Sequence, residues 1–182
     1  FELIEPNPKT SYRREISWGV FNEKANRFAN LLLQRGVKKG DKVAILMMNG
    51  LEWLPIYFGI LKTGALAVPL NFRYSSDEIE YCVNLAEVDI LVFSNPFIGR
   101  VEEIADRISK GRLLIYVGEG CPSFADDYNS LSANCSSQSP MVALTDEDYA
   151  AIYFSSGTTG FPKAILHKHR ALLHSCMVEQ NH

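Results

Sequence analysis

The sequence predicts an α/β fold, a mostly parallel sheet with helices on both faces. Three observations carry that prediction. Short apolar runs alternate with amphipathic stretches four times within about 100 residues. The apolar runs are continuous rather than alternating, as in strands buried on both faces. Glycines and small polar residues stand between the segments, where helices stop and turns form. Strands and helices in this order make right-handed crossovers onto a parallel sheet.

The elements follow in chain order. Residues 1–18 read as a hairpin: Phe1 to Ile4 is apolar, Pro6-Asn7-Pro8 is turn chemistry, and Glu15-Ile16-Ser17-Trp18 alternates. Phe21, Ala25, Phe28, Ala29 and Leu32 fall on one helical face, which stops at Gly36. Val43 to Met47 is a buried strand. Asn49 or Gly50 starts the next helix, whose expected face is Leu51, Leu54, Phe58 and Leu61 and whose end is Gly64. Ala65 to Leu70 is a strand. Ser75 or Ser76 caps a helix with Asp77 and Glu78 in its first turn and an inner face of Ile79, Cys82, Val83 and Ala86. Asp89 to Phe93 is a strand, Ile98, Val101, Ala105 and Ile108 mark a helix, and Leu113 to Val117 is a further strand. Residues 118–148, rich in serine, read as an irregular surface connection with one short helix near Asp126 to Leu131. A strand at Ala150 to Ser155, an apolar stretch at Ala164 to Leu166 and a helix from about His169 complete the chain.

Composition bounds the function. The chain has 182 residues, 47% of them hydrophobic and 21% charged, which is globular rather than disordered and fits one α/β subdomain over 1–182. A net charge of −3 argues against a general nucleic-acid or anionic-membrane surface. No apolar run approaches the roughly 18–20 residues of a membrane span. No basic stretch precedes an apolar one at the start, and a first residue that is Phe rather than Met points to a piece of a longer chain. Cys82, Cys121, Cys135 and Cys176 lie far apart with no C-x-x-C pair, so reduced thiols and a cytoplasmic location are expected.

The chemistry concentrates in Ser155-Ser156-Gly157-Thr158-Thr159-Gly160-Phe161-Pro162-Lys163, directly after a strand. Gly157 and Gly160 let backbone N–H groups converge on an anion. Ser155, Ser156, Thr158 and Thr159 add hydroxyl donors, Pro162 stiffens the exit, and Lys163 supplies a point charge for a polyphosphate. The spacing is not G-x-x-x-x-G-K-[ST], since only Phe161 and Pro162 separate Gly160 from Lys163.

The run from Tyr153 to Lys163 resembles the phosphate-loop signature of the adenylate-forming superfamily, and His167 to Arg170 is similar to that family's His-Arg after the loop. Ile16 to Arg27 resembles its opening strand and helix, and Leu61 to Asn71 its second signature. Asn71-Phe72-Arg73-Tyr74-Ser75 looks more like acyl-CoA synthetases than adenylation domains, and Ala164 departs from the family's usual Gly. The resemblance implies the N-terminal portion of the large domain of an ATP-dependent acid–thiol ligase. Such an enzyme activates a carboxylic acid as acyl-AMP and passes the acyl group to coenzyme A, with Mg²⁺ on the phosphates. Ser155, Ser156, Gly157, Thr158, Thr159, Gly160 and Lys163 would bind the ATP phosphates. Other catalytic residues and any metal ligands would lie in later sequence, so this piece alone is expected to be inactive and to self-associate through apolar residues after Ala164. An adenylation domain of a non-CoA system and a non-catalytic nucleotide-binding module are the alternatives.

The remaining candidates have plainer readings. His167, His169, His174 and His182 read as surface or loop histidines rather than metal ligands. Trp18, Trp53, Tyr57 and Phe58 read as core aromatics. Asp126-Asp127 reads as a solvated pair and Lys38-Lys39 as a charged turn.

Overall fold

Ser17 has extended backbone and its side chain accepts the Val20 N–H at 3.3 Å, so it starts a long helix. That helix, α1 (Trp18–Gln34), buries Phe21, Ala25, Phe28, Ala29 and Leu32, the face expected from their spacing. Two strands precede it, β1 (Glu2–Glu5) and β2 (Arg14–Ser17), paired antiparallel. The computed structural model describes residues 2–5, 14–108, 112–155 and 162–180, so the predicted turn at Pro6-Asn7-Pro8 lies outside the described residues.

The main sheet is built from β3 (Lys42–Leu46), β4 (Leu66–Pro69), β5 (Ile90–Ser94), β6 (Leu113–Val117), β7 (Asp126–Asp127), β8 (Tyr149–Ser155) and β9 (Lys163–Lys168). Their order across the sheet is β7-β6-β5-β3-β4-β8-β9. Every pairing is parallel except β8 with β9, which is antiparallel. The helices α2 (Trp53–Thr63), α3 (Ser76–Leu85) and α4 (Ile98–Ile108) form the crossovers.

The continuous apolar runs are explained by burial on both faces. Val43 and Ile45 of β3 pack with α1 and α2, while Ala44 and Leu46 pack with α3 and α4. In the same way Val92 faces one layer and Leu91 and Phe93 the other. Ser75 closes a reciprocal capping box with Glu78 at the start of α3, and Ile79, Cys82, Val83 and Ala86 are buried as expected.

Two local expectations are corrected. Helix α2 begins at Trp53, later than Asn49 or Gly50, and its buried residues include Pro55, Ile56, Gly59, Ile60 and Thr63. Of the expected face, Leu51 is buried but precedes the helix, Leu54 and Leu61 are partly covered, and Phe58 stays 42% exposed. Gly59 is the reason. A Cβ there would lie 2.9 Å from the Ala25 carbonyl oxygen, so its absence lets α1 approach along the Ile56–Gly59–Ile60 side. At the far end Gly64 caps α2 in the left-handed region, φ 77°, as expected of a helix-stopping glycine.

The second correction concerns 118–148. Asp126 and Asp127 are not a free solvated pair: they form β7 on the edge of β6, opposite Ile115 and Tyr116. Asp127 then caps α5 (Tyr128–Ala133), accepting from the Ser130 hydroxyl and from the Ser130 N–H, each at 2.7 Å, and these bonds hold its carboxyl below the usual range. Beyond α5 the chain is irregular and tied to α1. Asn26 donates to the Ser137 carbonyl at 2.8 Å, and Asn30 donates to those of Ser136 and Gln138. All four cysteines are free. Among the described residues no helix is long and apolar enough to cross a membrane.

Candidate functional site

Strand β8 runs parallel to β4, with Ala151 opposite Ala67, so its last residue, Ser155, reaches the carboxyl edge of the sheet. Strand β9 returns alongside it with Ser155 opposite Lys163, Tyr153 opposite Ile165 and Ala151 opposite His167. Paired residues share a face, so Ser155 and Lys163 stand side by side on the α2 side of the sheet, with Tyr153 below them. Lys163 is exposed and Pro162, just before it, is buried. Of the seven residues predicted to bind phosphate, the structure places these two together at the mouth of the hairpin. Ser156, Gly157, Thr158, Thr159 and Gly160 lie outside the described residues.

The carboxyl edge is where this architecture binds ligands. The chain leaving β3 enters α2 on one face, and the chain leaving β4 enters α3 on the other, which makes a topological switch point. On the same edge a cavity of about 520 Å³ lies over the ends of β3, β5 and β6, lined by Met48, Asn49, Glu52, Ser94, Gly118 and Glu119. The Glu52 carboxylate in it is paired with Arg14 and lies 4.0 Å from Lys24.

Behind the hairpin lies an apolar cavity of about 590 Å³, between α2 and α6 (His169–Gln180). Trp53, Tyr57, Leu61, Tyr153, Leu172 and Cys176 line it. The Tyr57 and Tyr153 hydroxyls meet at 2.7 Å, and Trp53 stacks on Tyr57 with centroids 5.3 Å apart. Burial, and then the bond to Tyr153, push the Tyr57 phenol well above its ordinary range. The expectation that these aromatics form core is thus only half met. Tyr57 is buried, but Trp53 is half-buried and Trp18 is 47% exposed. Helix α6 buries none of its residues.

A polar splint fixes the β9–α6 junction. The His169 N–H donates to the Asp148 carbonyl at 3.0 Å and the Arg170 N–H to that of Asp146 at 2.9 Å. Glu147 accepts from Lys168 at 2.8 Å and from Arg170 at 2.6 Å, and Asp148 from Lys39 at 2.7 Å. The Lys168 contact chiefly lowers the Glu147 carboxyl, and the Lys39 contact that of Asp148. Lys39 is therefore a cross-link to the junction, not merely a turn charge.

His169 is half-buried, not a surface histidine. Its Nε2 is buried without a hydrogen-bond partner, and loss of solvent lowers its pKa. His167 lies in β9, opposite Ala151, with its ring 5.1 Å from that of Tyr153. Among the described residues no three His, Cys, Asp or Glu groups converge to hold a metal ion. Sequence reasoning missed the Tyr57–Tyr153 bond and the Lys39–Asp148 cross-link. A signal for the first was present, since a tyrosine in an apolar run carries a hydroxyl that needs a partner once buried.

The model of the family described as AMP-binding enzyme matches residues 6–181. A long-chain-fatty-acid–CoA ligase, FadD13 of Mycobacterium tuberculosis, is 31% identical over 166 residues, covering 91% of this chain and 31% of that protein. A crotonobetaine/carnitine–CoA ligase of Salmonella agona is 35% identical over 162 residues, 86% of this chain and 31% of that one. Among solved structures, the anthranilate–CoA ligase AuaEII in complex with anthranoyl-AMP superimposes with a TM-score of 0.82 at 29% identity. That match covers 86% of this chain and 30% of that one. ATP-bound MatB from Rhodopseudomonas palustris gives 0.76 at 28% identity, covering 90% and 32%. The chain thus spans about a third of the length of the curated relatives it matches.

Proposed function

The chain belongs to the AMP-binding enzyme family, and from that premise we propose that it is the N-terminal portion of an ATP-dependent acid–thiol ligase, contributing the phosphate-binding loop. The observation that carries this reading is the hairpin. Ser155 and Lys163 stand opposite one another at the carboxyl edge of a parallel sheet, bracketing Ser156-Gly157-Thr158-Thr159-Gly160.

The chemistry follows from where charge develops. A carboxylate oxygen of the acid bonds to the α-phosphorus of ATP, and the bond from that phosphorus to the bridging oxygen breaks. Pyrophosphate leaves with the electron pair. Donors and a cation aimed at the β- and γ-phosphates lower that barrier. Lys163 supplies the cation, while Ser155, Ser156, Thr158, Thr159 and the amides around Gly157 and Gly160 supply donors. A thiol, that of coenzyme A in this reading, then displaces AMP from the acyl-adenylate. Mg²⁺ arriving with ATP would neutralise charge on the phosphates in this reading. Relatives named as fatty-acid and carnitine–CoA ligases support a carboxylic acid as the substrate class. A cytoplasmic location is part of the same reading.

The test is acid-dependent AMP release by the full-length protein across a panel of aliphatic and aromatic acids, with and without coenzyme A. Release that needs both acid and coenzyme A is the expected result. Release with an acid but without use of coenzyme A would favour a non-CoA system, and none with any acid would overturn the ligase reading.

A further inference from the structure

The cavity behind the hairpin is apolar on nearly every side, yet two hydroxyls meet inside it. Tyr57 comes from α2 and Tyr153 from β8, 96 residues apart in sequence, and their oxygens lie 2.7 Å apart. A lone buried hydroxyl in such surroundings would be costly, so each is satisfied best by the other. That makes the contact directional, where apolar packing alone would tolerate sliding.

Both partners are held from behind. Tyr57 is 8% exposed, stacks on Trp53 and meets the Phe58 ring edge-on at 5.8 Å. Tyr153 lies in register with Ile165 of β9, and its ring is 5.1 Å from that of His167. Tyr153 also lies two residues before Ser155 on the same strand face, roughly 6.6 Å along the strand. Its cross-strand partner, Ile165, lies two residues after Lys163. A shift of Tyr153 relative to α2 therefore carries Ser155 and Lys163 with it.

We propose that the Tyr57–Tyr153 hydroxyl pair is a positioning device for the reaction: it fixes the β8–β9 hairpin against α2, and so fixes where Ser155 and Lys163 meet the phosphates of ATP. In this proposal both tyrosines act through the hairpin rather than on the nucleotide itself. The inference rests on the ligase reading above. It adds two residues that the loop motif does not contain.

The experiment uses the full-length protein with Tyr57→Phe, Tyr153→Phe and the double variant. Each change removes an oxygen and keeps the ring, and urea titration fixes the folded fraction. ATP–pyrophosphate exchange is then measured per folded molecule, with separate KM values for ATP and for the acid. Misplacement of a reacting group by about 1 Å can cost up to about 100-fold in rate. Each single variant should therefore lose about 10-fold or more in exchange, with KM for ATP raised and KM for the acid unchanged. The double variant should lose no more than either single one, because both break the same bond. A merely structural role would lower the folded fraction and leave the kinetics of folded molecules alone. Exchange and KM for ATP within twofold of the wild type in both single variants would overturn the proposal while leaving the ligase reading intact. Losses that multiply in the double variant would overturn the pairwise coupling on which it stands. A wild type that exchanges pyrophosphate with no acid would instead remove the ligase reading beneath it.

Discussion

Replacing Gly59 by alanine sets two effects against each other. Gly59 lies inside α2, where alanine is favoured on helix propensity by about 1 kcal/mol. A Cβ at that position would stand 2.9 Å from the Ala25 carbonyl oxygen and 3.0 and 3.1 Å from Cδ1 and Cβ of Phe28. Ala25 and Phe28 are fully buried in α1, and the carbonyl belongs to the helix backbone, so neither can swing aside. The helices have to part by a few tenths of an ångström, and overpacking of this kind costs about 1–3 kcal/mol. The clash outweighs the propensity gain because the nearest atom is a backbone oxygen, leaving a net loss of up to about 2 kcal/mol. For a chain of this size that lowers Tm by up to about 8 °C. Gly99→Ala is the internal control, because a Cβ there meets nothing within 4 Å in α4, and it should raise stability by up to about 1 kcal/mol. Paired thermal and urea unfolding curves read both. A Gly59→Ala protein as stable as the wild type, or more so, would refute the close-approach argument.

Other expectations follow from the same geometry. Ser75→Ala removes one half of the capping box with Glu78 and should cost about 1 kcal/mol in a urea titration. His169 has a folded pKa below its ordinary 6.5, so the unfolded chain takes up its proton first as pH falls. Its contribution to stability is complete above about pH 6.5 and is lost as pH drops through the folded value, a loss that His169→Gln should blunt. An NMR titration of His169 with a midpoint at or above 6.5 would contradict that sign. The 182-residue piece alone should show no acid-dependent pyrophosphate exchange. Positioning by the rest of the site is worth roughly 7–11 kcal/mol. It should also associate in light scattering, since Leu173, Met177 and Val178 of α6 are exposed.

Much of the fold was legible because burial on two faces leaves a plain mark. Val43 to Met47 and Leu113 to Val117 are unbroken apolar runs, and they form β3 in the middle of the sheet and β6 beside the two-residue β7. Ser75 or Ser76 followed by Asp77 and Glu78 announced a helix start, and the structure puts the cap on Ser75. The face of α2 was misread for a physical reason. Its apolar residues run nearly all the way round, so spacing alone could not choose a side, and the deciding residue was a glycine with no side chain to count. Asp126 and Asp127 look like solvent residues in isolation, and only the free edge of β6 makes them a strand. At the site, the strand, the loop composition and Lys163 were readable as a local pattern. The Tyr57–Tyr153 bond and the Lys39–Asp148 cross-link join segments 96 and 109 residues apart, and no local pattern marks such pairs.

The central claim is that the hairpin mouth grips the ATP phosphates as pyrophosphate departs, and Lys163→Met in the full-length protein tests it most directly. Lys163 is exposed at the first position of β9, so little packing is lost with its charge. The measurement is acid-dependent ATP–pyrophosphate exchange, with thermal unfolding run alongside. Loss of a charge-assisted contact to a developing phosphate charge should slow exchange by about 10²–10³-fold, or about 2.7–4 kcal/mol, with Tm unchanged. Exchange at the wild-type rate in a folded Lys163→Met protein would contradict the claim.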